Sequence, residues 1–211
     1  MLFRSAETVL AKHDRLDVLV NNAGLITPEL ALSQDGIEMM MAVNHLAPFL
    51  LTNLLLDRLK ASAPARIVTV ASQAHRGARL DPSDLVKPRD WTSLSGYGRS
   101  KLCNVLFTRA LARRLAGTGV TATCLHPGVV ATDIGNRAGT LAGLGWRLIK
   151  PFLIGPEKGA ETSIFLATVA DPAPFNGAYV VGKAPVQPDA AALDDQLAER
   201  LWIESARLVG L

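Results

Sequence analysis

Three short, mostly apolar runs constrain the fold more than anything else in the chain: Leu16-Asp-Val-Leu-Val20, Arg66-Ile-Val-Thr-Val70 and Val120-Thr-Ala-Thr-Cys-Leu125. Each is rich in β-branched residues, is of strand length, and breaks into small or turn-forming residues. Helix-length stretches separate them. Strands of this kind joined through helices make βαβ units, in which neighbouring strands run parallel and helices cover the sheet. A fourth strand is expected over Asn176-Gly-Ala-Tyr-Val-Val181. With 49% hydrophobic and 19% charged residues in 211, the chain is too apolar for disorder and is read as one domain spanning residues 1–211.

Between the strands, helices are expected over residues 5–14, from Ser33 or Asp35 to about Lys60, and from near Tyr97 to a C-cap at Gly117-Thr-Gly119. Another runs from Gly155-Pro-Glu-Lys to Thr168. The last follows Pro188, is capped by Asp189, and carries Leu193, Leu197, Leu201 and Leu208. The polar stretch from Gln73 to Ser95, with Pro82 and Pro88, reads as a long surface excursion. Residues 133–155 alternate glycines with Trp146, Leu148, Ile149, Phe152 and Leu153, which suits either a docked helix or a lid over an apolar pocket.

Charge and cysteine content exclude several classes. The formal charge of +3 comes from 22 scattered Lys and Arg, and the densest group, Arg109, Arg113 and Arg114, falls where cations suit a helix C-terminus, so no nucleic-acid partner is expected. Cys103 and Cys124 stand alone on different predicted elements, which fits a reduced, intracellular chain. His13, His45, His75 and His126 show no ligand spacing, so no metal is expected. Met39 to Leu56 carries no formal charge and reaches the lower limit of a membrane span, but Asn44, His45, Pro48, Thr52 and Asn53 make it a helix buried between protein layers. No N-terminal signal is visible, and the compartment is unreadable.

Four features carry chemistry. Asn21-Asn22-Ala23-Gly24 follows the first strand, where ligands approach the backbone in open parallel sheets. Pro48 has no N–H to offer the Asn44 carbonyl, so a kink, or a perch for an ordered water, is expected there. Ser72 ends the second strand. Tyr97 and Lys101 stand four residues apart, hence on one helical face. A free phenol titrates near ~10, and bringing it to ~7 needs about 4 kcal/mol of preference for the phenolate, which a nearby ammonium and a cofactor charge could supply.

Asn-Asn-Ala-Gly, Asn44, Ser72 and Tyr97-Gly-Arg-Ser-Lys101, in this order, resemble the short-chain dehydrogenase/reductase family from about Asp17 to the C-terminus. Val43-Asn-His-Leu46 with Pro48-Phe-Leu-Leu-Thr52, the long insert before Tyr97, His126-Pro-Gly128 and the terminal Arg200–Leu211 resemble its retinol dehydrogenase branch. The resemblance implies a Rossmann-type sheet and a nicotinamide cofactor, NADP in preference to NAD. It implies that Tyr97 exchanges a proton with the substrate oxygen, that Ser72 hydrogen-bonds the same oxygen, that Lys101 lowers the Tyr97 pKa and grips the ribose, and that Asn44 holds a connecting water. Asn21, Asn22, Ala23 and Gly24 would line the adenosine side, while Pro127, Gly128, Val130 and Thr132 would fix the nicotinamide.

The departure from the family pattern matters as much. Members begin with a strand, a TGxxxGxG turn and a helix that holds the pyrophosphate. None of this occurs in the 211 residues. Leu16–Val20 then corresponds to the fourth family strand, with about 60 residues of βα units missing before it and a bare apolar edge left behind. The fold expected is a partial Rossmann-type doubly wound parallel sheet with helices on both faces and the first strands missing. The function expected is hydride transfer between NADP(H) and a lipophilic alcohol or aldehyde such as retinol and retinal, impaired by the missing segment. The alternative is a catalytically silent binding or dimerising module; a sugar-nucleotide epimerase or dehydratase, which also uses Tyr-x-x-x-Lys, is disfavoured by Asn-Asn-Ala-Gly. A small lipophilic substrate, a homodimer and contact of the Trp146 segment with a membrane surface are the expected partners.

Overall fold

The apolar runs pair side by side. In the computed structural model, which describes residues 2–128 and 155–211, they form β1 (Val18–Asn21), β2 (Ala65–Val70), β3 (Val120–His126) and β4 (Tyr179–Val181), followed by β5 (Ala184–Pro185). The strands lie in chain order, β1 to β4 parallel and β5 antiparallel to β4. The parallel sheet expected from sequence is formed by β1 to β4, and β5 is an addition at its edge that the sequence reading did not include. Gly182 and Lys183 both take positive φ, the conformation of a tight hairpin turn, and fold the chain straight back after β4. β4 is also shorter than expected, because the Asn176 side chain itself accepts the Ala122 N–H at 2.9 Å and Gly177 N–H bonds the Ala122 carbonyl at 2.7 Å.

Among the described residues, five α-helices accompany the sheet: α1 (Leu2–Lys12), α2 (Met39–Ala61), α3 (Ser93–Arg114), α4 (Pro156–Thr168) and α5 (Asp195–Val209). Strand residues alternate between the two faces. Ile67, Ala122, Cys124 and Tyr179 pack towards α2, α3 and α5, whereas Val68, Leu125 and Val180 pack with Leu166 of α4. Leu102, Val105, Leu106 and Leu111 of α3 are all buried in the first of these layers, each worth roughly 1.5–3 kcal/mol of transfer free energy. Helices thus cover both faces.

Three helix boundaries depart from the sequence reading. The second helix starts at Met39, because Ser33 turns its hydroxyl onto Asp35 N–H and Ile37 N–H, Gly36 takes positive φ, and Glu38 supplies the actual cap. The third starts earlier, at Ser93, with Thr92 and Ser95 forming a reciprocal capping box, so Tyr97 lies in its second turn. The last divides: Asp189 caps only the short turn Ala190–Leu193, and Asp194 caps α5. The kink expected at Pro48 takes the form of a π-turn over Ala42–Leu46, with Ala47 N–H reaching back to the Ala42 carbonyl.

Among the described residues, α2 is the helix long and apolar enough to cross a membrane, with mean hydropathy 1.5, yet it packs against α1, α3 and the sheet. The excursion from Gln73 to Ser95 is less superficial than its polarity suggests, since His75, Pro82 and Leu85 are buried anchors. The expected lid lies outside the described residues except for Gly155, which caps α4. β1 has β2 as its one strand neighbour in the described sheet, and Val20 on it is 41% exposed.

Candidate active site

The carboxyl ends of β1, β2 and β3 open beside α2 and α3, and the chemistry-bearing residues lie there. Helical spacing puts Lys101 one turn beyond Tyr97, with its ammonium 5.6 Å from the centre of the phenol ring. Ser72 stands just past β2, where its hydroxyl caps the following short turn at Ala74 N–H and lies near enough to the Tyr97 phenol to favour its ionised form. Glycine at position 98 allows this approach. A Cβ there would sit 2.7 Å from the Ala74 carbonyl oxygen, so a larger residue would push α3 away from the loop carrying Ser72.

Asn44 is brought in from the π-turn of α2. Its Oδ1 accepts Leu25 N–H at 2.8 Å, while its Nδ2 donates to the Leu25 carbonyl at 2.9 Å and to Ser100 Oγ at 3.0 Å. The amide therefore clamps the loop after β1 as a strand would. A Cβ placed on Gly24 in that loop would lie 3.2 Å from Asn44 Oδ1 and 3.5 Å from Lys101 Nζ, which puts Gly24, Asn44 and Lys101 around one small space. Tyr97, Lys101, Ser72 and Asn44 are thus brought together, with Tyr97 and Ser72 half-buried and the other two buried.

Burial sets the electrostatics. Lys101 is 3% exposed and its ammonium donates to the Val70 carbonyl at 2.9 Å, while desolvation lowers its pKa from 10.5 to about 8. Tyr97 is raised, first by burial, with the Ser72 side chain pulling the other way. His75, whose Nδ1 donates to the Ser72 carbonyl at 2.6 Å, is lowered chiefly by burial, and His126 likewise.

The other expected residues are placed unevenly. Asn21 turns inward, its amide donating to Thr52 Oγ1 at 3.0 Å and Thr69 Oγ1 at 3.4 Å, so its side chain ties β1 to α2 and β2. Asn22 and Ala23 are exposed and Gly24 is half-buried. Pro127 and Gly128 follow β3 and are half-buried, and Val130 and Thr132 lie outside the described residues. Cys103 and Cys124 are free thiols in the core, pushed up to about 12 by burial. Sequence reasoning missed Ser100, Asn104 and His75. Ser100 and Asn104 could have been found, since they flank Lys101 on the helical face that meets the sheet.

A family model described as short chain dehydrogenase matches residues 2–140. The chain belongs to that family. Among short-chain dehydrogenases it is similar to Retinol dehydrogenase 13 of Homo sapiens, 44% identical over 216 residues and covering 98% of this chain and 64% of the relative. It is equally similar to Retinol dehydrogenase 12 of Mus musculus, 44% identical over 206 residues and covering 98% of this chain and 65% of the relative. The chain spans just under two thirds of the length of these relatives. Among solved short-chain folds, an uncharacterized protein from Mycobacterium paratuberculosis superposes with a TM-score of 0.76 at 33% identity, over 100% of this chain and 72% of the other. A candidate NAD(P)-dependent gluconate 5-dehydrogenase from Beutenbergia cavernae, solved with bound NADP at low occupancy, gives 0.61 at 29% identity, over 85% and 69%.

Proposed function

We propose that the chain is an oxidoreductase that transfers a hydride between NADP(H) and a lipophilic alcohol or aldehyde of the retinol and retinal kind, with Asn44, Ser72, Tyr97 and Lys101 as its working residues. The observation that carries this reading is the meeting of a phenol, a hydroxyl and a buried ammonium at the carboxyl ends of the strands. The similarity to retinol dehydrogenases supports the substrate class, and NADP is preferred over NAD on the same ground.

The residues present fit the nicotinamide half of such a cofactor. Val70 takes one hydrogen of the Lys101 ammonium, leaving two for ribose hydroxyls, and the missing Cβ at Gly24 leaves room beside them. Asn22, Ala23 and Gly24 would line the adenosine side with the backbone of Asn21, and Pro127, Gly128, Val130 and Thr132 the nicotinamide. The bound nicotinamide supplies the hydride donor or acceptor. In carbonyl reduction Tyr97 gives its phenolic proton to the oxygen of the reacting carbonyl, and Ser72 donates a hydrogen bond to that oxygen as charge develops on it. The buried Lys101 cation favours the resulting phenolate, and Asn44 keeps the loop after β1 clear of it.

No TGxxxGxG loop occurs in these 211 residues, so we expect the chain by itself to hold NADPH more weakly than micromolar. Retinal reduction is therefore measured at saturating NADPH, by loss of reduced-nicotinamide absorbance. Tyr97→Phe should lower turnover by about 10²–10⁴-fold, the usual worth of a positioned proton donor, while leaving the fold intact. Unchanged turnover in that variant refutes the assignment. The second reading, a silent dimerising module, draws on the open β1 edge with Val20 exposed; such a module shows no turnover at any NADPH concentration and keeps its association in Tyr97→Phe. Membrane-surface contact through the Trp146 segment and, from the two lone cysteines, an intracellular compartment are part of the proposal.

A further inference from the structure

A line of buried polar groups runs from α5 to the ammonium of Lys101, through a core otherwise filled by Phe49, Phe107 and Trp202. The Val70 carbonyl accepts two donors, Lys101 Nζ at 2.9 Å and Asn104 Nδ2 at 3.3 Å. Asn104 Oδ1 faces His45 Nδ1 at 3.4 Å, and His45 Nε2 faces Ser205 Oγ at 2.9 Å. All are buried: His45 and Ser205 are 0% exposed and Asn104 2%.

The polarity of this line is determined at its inner end. A backbone carbonyl only accepts, so Asn104 must present its NH2 to Val70 and its oxygen to His45. His45 then carries its hydrogen on Nδ1. Burial lowers its pKa to about 4, so the ring is neutral and Nε2 is an acceptor, which makes the Ser205 hydroxyl the donor. Each orientation follows from the one before it, outward from Val70.

We propose that Asn104 is a positioning residue for Lys101, sharing the Val70 carbonyl with it, and that His45 and Ser205 hold Asn104 in this orientation so that α5 reaches the active site. The proposal rests on the functional reading of Lys101. With the positive end of the Asn104 amide turned towards the shared carbonyl, the ammonium has only a divided acceptor. Without the Ser205 hydroxyl, His45 Nε2 loses its donor, the ring holds Asn104 less firmly against the Val70 carbonyl, and the ammonium gains a larger share of that acceptor.

The test is an NMR titration of the 211-residue chain labelled with 13C-lysine, with the Lys101 signal assigned by its loss in Lys101→Arg. Asn104→Asp should raise the Lys101 midpoint by about one unit or more, because a carboxylate then stands beside the cation. Ser205→Ala, which removes one buried oxygen three links away, should raise it by about 0.5 unit. A purely structural role would lower thermal stability in Ser205→Ala, which adds no charge, and leave the Lys101 midpoint there where it is in the parent. An unchanged or lowered midpoint in folded Asn104→Asp overturns the role of Asn104, and the same result in Ser205→Ala overturns the link to α5. If Asn104→Asp does not fold, Ser205→Ala decides. The titration uses neither cofactor nor substrate, so an absence of retinal reduction would count against the functional reading and not against this one.

Discussion

Glu38 and Lys101 are both buried charges, at 1% and 3% exposure, and the chain treats them in opposite ways. Glu38 caps α2: its carboxylate accepts Met40 N–H at 3.0 Å, Met41 N–H at 2.7 Å and Trp91 Nε1–H at 3.3 Å. A helix N-terminus offers unpaired N–H groups and a positive dipole end, so the charge is matched where it lies. Lys101 has the Val70 carbonyl, a phenol ring and a pKa that falls to about 8. A charge satisfied by its surroundings is architecture, whereas a buried ammonium with one hydrogen given to a backbone carbonyl keeps hydrogens to offer a ligand. The first fixes where α2 begins, and hence where Asn44 sits; the second is left for chemistry.

The largest break in this contrast should come from Lys101→Met. Turnover should fall by about 10²-fold or more, as the phenolate loses its cation. Stability should move the other way. In the folded chain Lys101 titrates near 8 rather than 10.5, so between those values the unfolded chain binds more protons and parental stability rises with pH. Below pH 8 the buried ammonium carries its full penalty, up to about 3 kcal/mol for a shift of this size. Lys101→Met should therefore be the more stable protein at pH 7 by urea unfolding, with its advantage shrinking across pH 8 to 10.5. A variant less stable at pH 7, or one with the parental pH slope, would show that the ammonium is better matched than it looks.

Glu38→Gln should show the reverse pattern. It keeps one acceptor and loses the charge at the α2 terminus, which should cost about 1–3 kcal/mol of stability. Turnover at saturating NADPH should change less than about twofold while the chain remains folded, an effect under half a kcal/mol. Thermal unfolding and initial rates check the two halves. Equal losses of stability and turnover would mean that the capping carboxylate reaches into the active site and that the division between the two charges is false.

How far these roles were legible in the sequence differs in the same way. Strands and most helices could be read because their signals are local: β-branched runs ending in turns, apolar residues at helical spacing, Gly155-Pro156 at a helix start. Tyr97 and Lys101 were legible for the same reason, being one helical turn apart. Glu38 was not, because Ser33 and Asp35 look like caps and are occupied by a turn that only Gly36 reveals. Asn44 was read through Pro48, but its clamp on Leu25 joins residues 19 apart in sequence. His45 and Ser205 are more hidden still. Their link spans up to 160 positions, and each taken singly looks like an ordinary polar residue on an apolar face.

The smallest effect, and the sharpest probe of how tightly the two kinds of region adjoin, is expected at Gly24. Its backbone has no need of positive φ, so Gly24→Ala carries no conformational strain, and stability should change by less than about 1 kcal/mol. The new methyl, however, would lie 3.2 Å from Asn44 Oδ1 and 3.5 Å from Lys101 Nζ. Asn44 cannot retreat freely, because three hydrogen bonds hold its amide to Leu25 and Ser100. The methyl should therefore fill space beside the ammonium and weaken NADPH binding by about tenfold, or ~1.4 kcal/mol, with little change in turnover at saturation. Fluorescence titration with NADPH, set beside a melting curve, measures both. Parental affinity in Gly24→Ala would place the ribose elsewhere and overturn the proposed grip of the Lys101 ammonium on it.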